Sequence, residues 1–149
     1  MKSILLAGAI VISGALVASA AELVTKPSAN SVAETIDKLA AAVENAGAKV
    51  FARVDHAAGA ASIDAELRPT QMLMFGNPKL GTPAMQASQT MGLDLPIRVV
   101  AWEDEGGKVF VAYHDPADLA ALHGVPADHP VIGKMQGALN KLTGFATGE

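Results

Sequence analysis

Four histidines, His56, His114, His123 and His129, are the residues of this chain best suited to chemistry, because imidazole titrates near neutral pH and is the commonest metal ligand. His56 closes an alternating apolar and polar segment, and His123 follows a helical segment after the last predicted strand. The two can therefore converge at one end of a sheet. No His-Glu-x-x-His spacing is present, and the ordinary role of isolated histidines is capping or hydrogen bonding. Two chemical alternatives are attached to them. One is a metal or metallocofactor site with His56 and His123 as ligands, aided by methionine; the other is an enzyme on a small anionic substrate with His56 as general base.

Arg68-Pro69-Thr70 stands just ahead of an apolar strand, where a guanidinium can hold a carboxylate or phosphate bidentately and Thr70 can add a hydroxyl. The other role open to Arg68 is structural, by pairing with a nearby carboxylate or packing over Trp102. Gly76-Asn77-Pro78 and Gly81-Thr82-Pro83 follow, and their backbone amides can line an anion pocket. The expected ligand pocket is thus His56, Arg68, Thr70, Asn77 and His123, with Arg68 as the charge anchor. No Gly-x-Gly phosphate loop, Gly-x-Ser-x-Gly elbow or Ser-x-x-Lys pair occurs, so nucleotide binding and hydrolytic nucleophiles lack their usual frames. Asp115 and Asp118 read as helix-start carboxylates, and Asp94, Glu103, Asp104 and Glu105 as solvated turn residues. Met72 and Met74 read as hydrophobic core rather than copper ligands.

The elements that must position these side chains follow from periodicity. Glu22 to Pro27 is a short extended lead-in, and Asn30-Ser31 caps a helix over Val32 to Asn45, whose apolar residues keep helical spacing. Lys49 to His56 alternates as a half-buried strand, with a short helical turn over Ala57 to Ile63. Gln71 to Phe75 is a central strand, and Thr82-Pro83 starts a short helix to Ser88. Pro96 to Trp102 and Lys108 to Tyr113 form a hairpin across Glu103 to Gly107. Helices follow from Pro116 to Leu122 and from Pro130 towards Thr143. The order predicts a single α+β domain over residues 30–145: a largely antiparallel sheet of about four strands with helices on one face.

The block Arg68 to Gln86, together with Asp94-Leu95-Pro96, Ala101-Trp102-Glu103-Asp104 and Tyr113-His114-Asp115-Pro116, resembles the bacterial family known as domain of unknown function 302, from about Asn30 to Phe145. Arg68, Pro69 and Thr70 match the family pattern, as do the positions of His56 and His123. The resemblance implies a similar α+β sandwich and a homodimer. It assigns no activity.

Residues 1–20 have the parts of an export signal: Lys2, an apolar stretch from Ile4 to Val17, and Ala18-Ser19-Ala20 for a peptidase, with residues 21–29 as an N-terminal extension. The stretch falls short of the ~20 residues of a membrane span. The expected location is the periplasm, with no membrane attachment after cleavage. Loss of Lys2 takes the net charge from −4 to −5, and no basic patch suggests nucleic acid. The chain has no cysteine, which removes disulfides, thiolate ligands and a cysteine nucleophile. No cofactor is implied. These features predict a non-catalytic module for a small anionic ligand or for protein interaction, and the family resemblance implies that it acts as a homodimer.

Overall fold

The computed structural model describes residues 23–149; the expected leader lies outside the described residues. In chain order the elements are β1 (Leu23–Ser28), α1 (Val32–Asn45), β2 (Lys49–Asp55), α2 (His56–Ala61), β3 (Thr70–Gly76), α3 (Pro78–Ala87), a 3-10 turn (Gln89–Leu93), β4 (Ile97–Glu103), β5 (Val109–His114), α4 (Pro116–Leu122) and α5 (Pro130–Thr147). The strands form one sheet in the order β1-β5-β4-β3-β2, with every pairing antiparallel. The class is the predicted α+β, with five strands instead of about four. The added strand is the segment read as an extended lead-in. It carries a proline and only weak alternation, and its partner β5 lies far along the chain, so nothing local marks it as paired.

Helix α1 begins on a reciprocal cap in which Ser31 accepts from the Glu34 backbone amide while the Glu34 carboxylate accepts from the Ser31 amide. Its stripe Val32, Ile36, Leu39 and Val43 is buried against the sheet. Helix α5 lies alongside it with Ile132, Met135 and Leu139 inward. Together they cover the sheet face that carries Leu73, Phe75, Val99, Ala101 and Val111. Three buried threonines add no unpaired hydroxyl: Thr35 donates to the Ser31 carbonyl (2.8 Å), Thr143 to Leu139 (2.7 Å) and Thr147 to Thr143 (3.0 Å).

The pleat sends Met72, Met74, Val100, Trp102 and Phe110 to the opposite face, which α1 and α5 do not reach. These side chains are half-buried, and Trp102 stacks on Phe110 with ring centroids 5.6 Å apart. The expected core role of Met72 and Met74 is therefore corrected: Leu73 and Phe75 enter the core, and the methionines lie on the uncovered face.

Helix α3 begins five residues earlier than the sequence suggested. Asn77 accepts from the Lys79 amide at 2.9 Å and Pro78 takes the first helical position, while Pro83 sits inside the helix. Gly81-Thr82-Pro83 is therefore helix interior, and its amides do not form the expected anion-binding cap. At the other extreme of the fold, β1 and the end of α5 are clasped. The Ala29 amide donates to the Thr147 carbonyl, Asn30 Nδ2 to the Ala146 carbonyl (both 3.0 Å), and Lys26 pairs with Glu149 at 2.9 Å.

Candidate functional site

The five residues expected to share a pocket lie at opposite ends of β3. His56 opens α2, exposed, beyond the Asp55 to Gln71 pairing, and Thr70 stands at the start of β3 opposite Trp102. Arg68 lies at that same end and donates from Nε to the Glu103 carbonyl at 3.1 Å, while Thr70 Oγ1 donates to the Arg68 carbonyl at 2.9 Å. Arg68 therefore ties a loop to the β4 terminus. Asn77 caps α3 at the far end of β3, and His123 packs near the residues that lead into β4 at that far end. A seven-residue strand separates the two groups by on the order of 20 Å. His56 and His123 do not converge, and one ion cannot take both. Among the described residues no cluster of three or more histidines or carboxylates is arranged to hold a metal.

His123 instead joins a polar cluster. Its Nε2 lies 2.7 Å from Asp94 Oδ2 and its Nδ1 lies 3.0 Å from Thr90 Oγ1, while Asp94 Oδ1 accepts from Arg98 Nη2 at 3.0 Å. The His123 side chain is 9% exposed and that of Asp94 22%, so the pair is sheltered from water. A hydroxyl on one ring nitrogen and a carboxylate on the other is a geometry that can orient a base. None of Thr90, Asp94 and His123 lines the cavity described next, and Thr90 Oγ1 is also 3.0 Å from Ser88 Oγ. What the cluster does in the fold is bind the end of α4 to the turn between α3 and β4. Asp94 was expected to be solvated; the sequence signal for its true role is the Asp94 and Arg98 spacing of four, completed by a histidine from a distant helix.

The concave feature at this end of the molecule is apolar. A cavity of ≈ 350 Å³ opens between the sheet, α3, α5 and the turn joining α1 to β2. Phe75 and Ile97 line it from the sheet, Leu80 and Met85 from α3, Leu95 from the loop before β4, and Met135, Leu139 and Leu142 from α5. Asn77 is the single member of the expected pocket that lines it. Phe51, half exposed, forms part of the rim, with Lys49 Nζ 5.3 Å from its ring centre. The bulge between Val50 and Ala52 in β2 sets the pleat beside this ring. Sequence patterning identifies these side chains only as core, since a cavity is a gap in packing that no periodicity reveals.

A family described as "Domain of unknown function DUF302" matches residues 24–142. The chain belongs to the DUF302 family. The fold agrees: an "uncharacterized conserved protein DUF302 from Bacillus stearothermophilus", known from a crystal structure, superposes with a TM-score of 0.75 at 17% identity, covering 83% of this chain and 97% of that one. Curated relatives extend further than the DUF302 domain. The chain is 46% identical over 129 residues to a protein named "Fluoride-specific ion channel FluC 1" from Brucella suis, covering 85% of this chain and 50% of that protein. It is equally similar to "Fluoride-specific ion channel FluC 2" from Brucella melitensis, of which it covers 47%. The chain thus spans about half the length of these relatives. No helix of this DUF302 domain, among the described residues, is long and apolar enough to cross a membrane.

Proposed function

We propose that this DUF302 domain is an exported, non-catalytic binding module that works as a homodimer and takes a small apolar molecule into the cavity between α3, α5 and the sheet. The observation that carries the reading is the cavity itself. Its ≈ 350 Å³ falls in the size range of small-molecule sites, its lining is aromatic and aliphatic, and few polar groups face it. The anion pocket centred on Arg68 has less support, because Arg68 Nε donates to the Glu103 carbonyl and the residues expected beside it are divided between the two ends of β3. The homodimer is supported by the sheet face bearing Met72, Met74, Trp102 and Phe110, an apolar surface of the kind a second copy would cover.

The test is binding of the fluorescent probe 1-N-phenylnaphthylamine. Wild-type protein should enhance its emission saturably, and Ala138→Phe, which puts a ring into the cavity from α5, should abolish the enhancement without lowering the melting temperature. Probe binding unaffected by that substitution would place the apolar site elsewhere. Export is checked by the intact mass of protein recovered from the periplasm, which should lack residues 1–20.

A second reading rests on the Brucella relatives. Their printed names describe ion channels, and the part similar to this chain makes up about half of each. The lack of a membrane-spanning helix among the described residues supports assigning channel activity to the other half, and to this domain a role as an interaction module beside such a channel. Deletion of the gene should then sensitise cells to fluoride. Unchanged tolerance would leave the small-molecule reading alone.

A further inference from the structure

Basic residues outnumber acidic ones among the sequence neighbours of the cavity lining, in a chain whose net charge is −4. Four lysines directly adjoin lining residues in sequence: Lys49 follows Ala48, Lys79 lies between Pro78 and Leu80, Lys134 precedes Met135, and Lys141 precedes Leu142. All four are exposed, and among the described residues none is in an ion pair. The acidic residue so placed is Asp94, before Leu95, and its carboxylate is already held by His123 and Arg98. Lys49 is fixed at the rim by its position over the Phe51 ring. Lys79 stands in the first turn of α3, next to Pro78, which also lines the rim.

We infer that the ligand is an amphiphilic monoanion, with an apolar tail in the cavity and a carboxylate or similar anionic head at the rim, met by Lys49 and Lys79. This rests on the cavity being a binding site. The physical division is simple: the apolar lining gains from removing a hydrocarbon chain from water but offers a charge almost no partner, so the head must stay at the mouth. Flexible ammonium groups on a wet rim suit a head that keeps part of its hydration.

Dodecanoate and dodecanol separate the two parts. Each is titrated against probe-loaded protein, wild type and the double variant Lys49→Gln/Lys79→Gln, at low and at high salt. Both substitutions are at exposed positions, and unchanged circular dichroism and melting will establish that the variant is folded. In wild type dodecanoate should displace the probe; in the variant its affinity should fall about fivefold to tenfold, the range two exposed ion pairs supply. High salt should erase that difference, and dodecanol should bind both proteins equally. Equal dodecanoate affinity in the two proteins, or displacement by dodecanol alone, overturns the anionic head and leaves the apolar module standing. If neither compound displaces the probe, the binding module falls and the head group with it. Retention on phosphatidylglycerol vesicles with no binding of free dodecanoate would also overturn the inference, in favour of a membrane surface as the anion source.

Discussion

His123 Nε2 and Asp94 Oδ2 stand 2.7 Å apart, a contact that joins the end of α4 to the approach to β4. The remaining Asp94 oxygen is held by Arg98 and the other His123 nitrogen by Thr90, so removal of either partner strands sheltered polar atoms. Asp94→Ala should therefore destabilise the domain by about 1–3 kcal/mol, and His123→Ala by a similar amount. The double substitution should cost less than the sum of the two, measured by urea unfolding as a double-mutant cycle. Strict additivity would mean that the contact contributes nothing in solution.

The reciprocal cap at α1 has a pH signature. Hydrogen bonds from the Ser31 amide and hydroxyl hold the Glu34 carboxyl below the usual glutamate range. A carboxyl whose pKa is lower in the folded state contributes stability that is present above its unfolded value and disappears as pH falls through the folded one. Melting curves between pH 3 and 7 should show wild type losing more stability at the acid end than Glu34→Gln. Parallel curves would show the cap to be inert.

Asp115 caps α4 by accepting from the Ala117 amide at 2.7 Å, and the same oxygen accepts from Gln136 of α5 at 2.8 Å. Asp115→Ala loses both and should cost about 1–2 kcal/mol, while Gln136→Ala should cost less because the cap survives. The order of the two melting temperatures checks this.

Trp102 is the single tryptophan and lies on the sheet face opposite the helices. Dimerisation through this face should move its emission to shorter wavelength as concentration rises, and Trp102→Asp should yield a monomer by light scattering. A dimer that persists in Trp102→Asp would assign pairing to another surface.

Much of the scaffold is legible in the sequence because it is written in local rules. The Ser31 cap and apolar stripe of α1, the alternation of β2, the glycine-bearing β4–β5 hairpin and the Asp115-Pro116 start of α4 each stand where periodicity and capping place them. What escapes is non-local. The pairing of β1 depends on β5, and the partner of Asp94 comes from His123 on another helix. The separation of His56 from His123 follows from which end of each strand meets which, information carried by sheet order alone. The start of α3 escapes for another reason: Asn77-Pro78 and Thr82-Pro83 are competing start signals in one stretch, and packing of Leu80 and Met85 around the cavity favours the longer helix.

The clasp from Lys26, Ala29 and Asn30 to the last turns of α5 ties the outer strand of the sheet to the helical layer, so the sheet edge and the end of that helix should open as one unit rather than fray separately.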